Sequence, residues 1–468
     1  MIATRQQSAG FVGLAPAPSQ VRDILVLFGQ GRDWDEREYS HSRHDGSFRF
    51  HHEGFDLFSF PSNARLMWFD ILRFVDRMVA KYGGRVQAVV SNNEQFGALA
   101  AALIAQRLGL RGTDPRAILH AQHKFHMRKR LESVMPEANP SYSVFPYTFQ
   151  SPADLGIEFP FFVKPIKAAY SVLARRVDNF SELREHMTFR PFEKHIIKRL
   201  VRPFNDAFAM HGGYGGHGGS EVDAHWMIGE SLLTGEQINV DGLIFDGECH
   251  VLGIVDAIMY PGTQAFMRFD YPSRLPDDWQ SRVKAVACRA MRAMGHDHGF
   301  FNIEMTVDRA TNDIKVIEIN PRMADQFSRL YSRIDGLNLH DLGLGMALGQ
   351  KPDVAKKTMP DRVGASFVFR RFHLDKLPAP PTRAQLVWLA DFAPHAILAD
   401  FFKTGSQLTR EMKWLGSYRY AVLNLTAESE DALMEKYEAI RRHMGFDVSA
   451  DDHRRAPRVM DSTGPGRA

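Results

Sequence analysis

From Val21 the chain reads Val-Arg-Asp-Ile-Leu-Val-Leu-Phe and closes at Gly29, a short apolar run that predicts a buried strand ended by a glycine turn. Residues 31–54 are polar and rich in His and Arg, which predicts loop, and a second short strand is expected over 55–60. Over 63–82, Leu66, Phe69, Ile71, Leu72, Val75 and Val79 fall largely on one stripe, the mark of an amphipathic helix, and Gly83-Gly84 stops it. The theme repeats with a strand over 86–90 and an Ala/Leu-rich helix over 94–108 ended by Gly109. Strand, helix, strand, helix at this spacing predicts an open parallel sheet.

A basic helix follows over 119–132, with Lys124, Arg128, Lys129 and Arg130. After the punctuation of Pro136, Pro140, Pro146 and Pro152, strands are expected over 159–165 and 172–177, a helix around 181–187 and a strand over 195–201. The Gly/His-rich run from His211 to Ser220 lacks the Lys-Ser/Thr of a P-loop and is expected to be a mobile insertion. Strands over 236–244 and 250–259 flank an Asp246-Gly247 hairpin signal. A helix over 277–294 then precedes strands over 301–307 and 314–319. After about residue 350 the composition resets, with strands over 362–370 and 418–425 and a helix over 429–443, a small α+β unit. Residues 1–20 and 451–468 read as disordered.

At 468 residues the chain exceeds one ordinary core, so several domains or subdomains are expected. A net charge of +3, with 58 basic against 55 acidic residues, calls for neither nucleic acid nor an anionic membrane. Cys249 and Cys288 can make at most one bridge and no cysteine-based zinc site; free thiols in a reducing compartment are the expectation. No apolar stretch approaches the ~20 residues that span a bilayer, and the N-terminal segment has no signal-peptide core, which points to the cytoplasm.

The strongest chemical signal is Phe301-Asn-Ile-Glu304 followed by Ile317-Glu318-Ile-Asn320-Pro321-Arg322. Glu318 and Asn320 are two apart on a strand and share a face; if the two strands pair across Thr311-Asn312, Glu304 joins them. Such oxygen-only donors suit Mg²⁺, although carboxylates on a solvent-facing edge would give the same pattern. Arg322 beside them is suited to holding a planar anion. Lys164 lies in an apolar strand and needs an anionic partner or a snorkelling route to water. Lys124 fits a solvated basic face equally well. The segment Ile228-Gly-Glu230-Ser-Leu-Leu233-Thr-Gly235-Glu-Gln237 reads as a linker exposing backbone ahead of a strand. Arg268 is a candidate phosphate or carboxylate contact, or a loop arginine paired with Asp270 or Asp277. The histidines show no metal-binding spacing.

Taken in order, these segments resemble the ATP-grasp superfamily over roughly residues 21–450, in particular its carboxylate–amine, amino-acid ligase type. The resemblance implies an α/β ATP-grasp fold: an N-terminal open parallel-sheet domain (21–118), a central two-lobed α+β ATP-binding domain (119–350, with a lid about 140–228) and a small α+β C-terminal subdomain (351–450). It implies that Lys124 and Lys164 contact the α/β-phosphates of ATP, and that backbone at Glu230 and Leu233 holds the adenine edge. It further implies that Gln237 stands where an acidic residue meets the ribose. Glu304, Glu318 and Asn320 would bind two Mg²⁺ ions, with Mn²⁺ as an alternative, while Arg322 would stabilise the acyl-phosphate transition state or anchor the carboxylate. The chain departs from the family in a lid turn without glycine, Ile166-Lys-Ala-Ala-Tyr-Ser171.

The activity so implied is ATP-dependent phosphorylation of a carboxylate and its coupling to an amine, with release of ADP and phosphate. The partners are small molecules, not nucleic acid or membrane; a homodimer stays open. A biotin-carboxylase-like carboxylase and an ATP-binding regulatory protein with degenerate catalysis are the alternatives.

Overall fold

The structure, a computed structural model, describes residues 21–29, 47–57, 61–168, 172–211, 222–373, 379–403 and 405–446. The expectations for both chain ends and for residues 212–220 lie outside them. Strands β1 (Arg22–Leu27), β2 (Phe48–Glu53) and β3 (Ala88–Val90) form a parallel sheet in the order β2-β1-β3. Leu25 and Leu27 pack on helices Ile71–Tyr82 and Gly97–Leu108, while Ile24 and Val26 meet helix Leu339–Ala347 from the other side. Burial on both faces explains the unbroken apolar run of β1.

Two local expectations fail here. Residues 48–53, expected as loop, are β2, whereas residues 55–57 are not strand. As an edge strand only partly covered, β2 tolerates Arg49, His51 and His52 and carries no apolar run. The expected helix over 63–82 is a 3-10 turn, Ser62–Trp68, followed by a helix from Ile71 whose N-cap, Asp70, accepts the Arg73 N–H.

Strands β4 (Tyr142–Phe145), β5 (Phe161–Pro165), β6 (Arg175–Val177) and β7 (Met227–Ser231) form a separate antiparallel sheet in the order β4-β7-β5-β6. The strand expected over 195–201 is instead part of helix Pro191–Met210. Within seven residues Ile196, Ile197, Leu200 and Val201 fit either period, but the series continues through Phe204, Ala207 and Phe208 with helical spacing. That stripe packs this helix against the N-terminal domain's core.

The largest sheet holds β8 (Glu236–Phe245), β9 (Glu248–Met259), β10 (Phe266–Tyr271), β11 (Gly299–Asp308), β12 (Asp313–Asn320), β13 (Val363–Arg371), β14 (Ile397–Asp400) and β15 (Tyr418–Ala427). Its order is β12-β11-β8-β9-β10-β13-β15-β14, so the segment after residue 350 extends this sheet. Asp246 and Gly247, at φ 49° and 78°, make the two-residue turn between β8 and β9. On one face, Ile238, Val240, Ile303, Met305 and Val316 bury against helices Lys124–Val134 and Asp277–Met294. The other face meets helix Asp325–Ile334 through Leu243, Val255, Phe269 and Tyr331, and leaves the β8, β11 and β12 end of the sheet for polar side chains.

Cys249 at the start of β9 and Cys288 in helix Asp277–Met294 form a disulfide, Cα atoms 5.9 Å apart, which corrects the expectation of free thiols. Nothing in their 39-residue spacing announces it; the packing of helix on hairpin brings them together.

Candidate active site

Register makes the site. In β11 and β12 Glu304 stands opposite Glu318 and Asn302 opposite Asn320, so all four side chains share one face. The same face continues on β8, where Asn239 opposes Glu304 and Asp241 opposes Asn302. Their neighbours Ile303, Met305 and Ile319 point the other way into the core. Between Glu304 and Met305 the pairing slips past Ile317, a bulge that twists the edge strand and frees the Ile317 carbonyl.

Three cations use that edge. Arg128, with no solvent exposure, donates to the Val316 carbonyl at 2.6 Å, the Ile317 carbonyl at 2.9 Å and the Glu230 carboxylate at 2.9 Å. Lys164 from β5 donates to the Ile317 carbonyl at 3.1 Å and pairs with Glu230 at 2.9 Å. Lys124 meets Glu318 at 2.8 Å. Burial raises the Glu230 pKa, but Arg128 and Lys164 outweigh it and hold the carboxyl at about 2. Burial likewise lowers the Lys164 ammonium, an effect Glu230 opposes.

Glu304 remains partly accessible from the cleft, yet desolvation, with the charges of Glu318 and Glu94, lifts its carboxyl to about 7. Gln237 donates to it at 3.0 Å. Asn320 donates to Asn302, which donates to Asp241, which accepts from Tyr331 at 2.7 Å. Desolvation raises Asp241 to about 6 against those hydrogen bonds. The Asn239 amide nitrogen is buried without a partner. Among the described residues no three His, Cys, Asp or Glu side chains gather as a complete metal cage. Two facing carboxylates, one of them lifted by desolvation and by its neighbours' charges, beside an amide oxygen nevertheless fit a hard cation whose remaining ligands come from phosphate.

On the far side of these groups Arg322 pairs with Glu94 at 2.5 Å. Glu94 sits in the loop after β3, at the carboxyl end of a parallel strand, where α/β sheets expose their crevices. Burial raises its pKa, and Arg322, Lys167 and Lys124 together bring it below the ordinary value. A cavity of about 110 Å³ opens beside Arg322 between helices Gly97–Leu108 and Leu339–Ala347, walled by Ala98, Ala102, Met323 and Leu344.

Seven of the expected residues thus gather on this face or edge: Lys124, Lys164, Glu230, Gln237, Glu304, Glu318 and Asn320, with Arg322 beside them. Leu233 lies in the unpaired linker from β7 to β8, where Gly235 (φ 93°) turns against the Val307 carbonyl too closely for any Cβ. Glu230 differs from expectation: its backbone lies in the middle of the four-stranded sheet, paired with Tyr142 and Phe162, so what it presents is its carboxylate. Arg268 is not brought in. It aligns with Ile258 and Phe367 and faces the C-terminal core, opposite to Glu304, with its Nε 3.0 Å from Asp270. Asn239, Asp241 and Glu94 escaped the sequence reading, which named Arg128 only as part of a basic helix and Lys167 only within a glycine-free turn. Alternating polar residues in Gln237-Ile-Asn-Val-Asp241 were the available signal for two of them.

The fold has counterparts among solved structures. The L-amino acid ligase from Bacillus licheniformis superposes with a TM-score of 0.62 at 16% identity, covering 91% of this chain and 98% of that one. The N5-carboxyaminoimidazole ribonucleotide synthetase from Thermus thermophilus gives 0.58 at 15%, covering 90% and 98%. This chain has the ATP-grasp fold. In sequence, the ATP-grasp chain is 27% identical over 274 residues to carnosine synthase 1 of Gallus gallus, covering 55% of this chain and 27% of that protein. It is 26% identical over 178 residues to the carbamoyl phosphate synthase large chain of Bifidobacterium adolescentis, covering 38% and 14%. The chain therefore spans well under a third of either relative's length. No protein-family model matches it. Among the described residues no helix is long and apolar enough to cross a membrane.

Proposed function

We propose that this chain is an ATP-dependent ligase that phosphorylates a carboxylate and couples the acyl phosphate to an amine, releasing ADP and phosphate. The observation that carries this reading is the convergence of Glu304, Glu318 and Asn320 with Lys124, Lys164 and Arg322 around one cleft between lid and sheet. In-line phosphoryl transfer asks the protein for position and charge more than for a nucleophile.

Lys164 would ride on the lid to the phosphates, with Glu230 and Arg128 keeping its chain fixed. Lys124 would leave Glu318 for a phosphate oxygen, freeing the carboxylate. Glu304, Glu318 and Asn320 would hold Mg²⁺, which when bound neutralises charge on the phosphate oxygens. The linker around Leu233, unpaired between two strands, would offer backbone groups to the base, and Gln237 would turn from Glu304 to a ribose hydroxyl. Arg322, aimed by Glu94, would fix the acceptor carboxylate in line with the γ-phosphate. Names of relatives support the same class: ligases and synthetases that join carbon to nitrogen.

The test is phosphate release from MgATP with pools of carboxylic acids and amines, amino acids included. Release that needs both an acid and an amine is expected; release driven by bicarbonate and free biotin, or none with any pool, would refute the proposal.

A further inference from the structure

Lys167 lies two residues beyond β5 and is only 2% exposed. Its polar neighbour is the Glu94 main-chain carbonyl at 3.5 Å, already bonded by Gln122 at 3.0 Å, and its ammonium lies 5.5 Å from the centre of the Phe204 ring. Lys124 and Lys164 each have a carboxylate within 2.9 Å, whereas among the described residues no carboxylate forms an ion pair with Lys167. A buried ammonium with so little compensation is costly, and a fold keeps one where an anion arrives.

Glu94, Lys124, Glu318 and Arg322 are near enough for their charges to act on Lys167, and of these Lys124 pairs with Glu318 and Arg322 with Glu94. We propose that Lys167 is a further catalytic lysine, whose ammonium contacts the γ-phosphoryl group as it crosses from ATP to the acceptor carboxylate. This rests on the ATP-dependent reading above. In the step, the bond from the γ-phosphorus to the β,γ-bridging oxygen breaks and ADP leaves with its electron pair. A carboxylate oxygen forms the new bond to phosphorus, and Lys167 supplies charge without exchanging a proton. Burial brings its pKa down to about 8, still mostly protonated at neutral pH.

The proposal is tested by binding of MgADP and of the Mg²⁺ complex of the β,γ-imido analogue of ATP to wild type, Lys167→Met and Lys167→Arg. Lys167→Met is expected to weaken the triphosphate by about tenfold or more while changing MgADP by less than about twofold. Without nucleotide its melting temperature should hold or rise, since an uncompensated buried charge is gone. Lys167→Arg should keep the preference for the triphosphate. Equal weakening of both nucleotides, unchanged binding of both, or a folding defect in Lys167→Met would overturn the proposal and leave Lys167 as a structural tether. Wild type binding neither nucleotide would sink the ATP-dependent reading itself, and this inference with it.

Discussion

At the residue scale the floor of the cleft is held in tension by its own acids. Glu304 and Glu318 face each other across adjacent strands, and desolvation with that repulsion carries Glu304 to about 7. A carboxyl raised in the folded state contributes stability that is full below its ordinary 4.5 and lost as pH rises through about 7. Glu304→Gln is therefore expected to raise the nucleotide-free melting temperature at pH 8, by about 1–2 kcal/mol of stability, while abolishing MgATP turnover. Glu318→Gln should abolish turnover with the fold intact; retained activity would remove the metal role. Glu230 has the opposite sign. Its carboxyl is held at about 2, so its contribution is present above 4.5 and lost as pH falls from there toward 2. Acid titration of wild type against Glu230→Gln should show a stability difference of about 3 kcal/mol at pH 7 that shrinks through that window.

At the scale of elements, one bulge organises three of them. Slippage at Ile317 exposes the carbonyls that Arg128 and Lys164 grip, so the helix Lys124–Val134, the lid strand β5 and the edge strand β12 meet at one point. Arg128→Leu should cost about 3–5 kcal/mol, because Glu230 stays buried with only Lys164 beside it; chemical denaturation measures it. The disulfide ties helix Asp277–Met294 to β9 behind the same floor. Reducing agent, or Cys249→Ala with Cys288→Ala, is expected to lower stability by roughly 3–4 kcal/mol for a loop of this length. Elements with a clear period were legible beforehand: β8 and β9 through Asp246-Gly247, the helix over 277–294, and the β11–β12 pair. Those that failed were ambiguous for physical reasons. β2 is a half-covered edge strand, and the start of helix Pro191–Met210 is too short a window to separate two periods.

At the scale of the whole molecule the cleft is closed by parts far apart in sequence. Glu94 comes from the N-terminal parallel sheet, Arg322 from the end of β12, and Lys164 from the lid. Glu94→Gln removes the carboxylate that pairs with Arg322, so kcat/KM for the acceptor acid should fall by about tenfold or more with ATP affinity little changed. Equal loss for both substrates would argue against that positioning role.

Alternation along the chain determined that Glu318 and Asn320 share one face, because side-chain direction in a strand is a local property with period two; that Glu304 stands opposite Glu318 was decided by the pairing register and the bulge at Ile317. The order of lysines, linker and acidic pair is likewise written in the sequence and carries the likeness to ATP-grasp proteins. Only the tertiary structure decided that Arg268 turns to the opposite face, that Glu94 and Lys167 join Arg322, and that Cys249 meets Cys288. Which buried charges compensate one another depends on contacts between residues tens to hundreds of positions apart, and no local period records them.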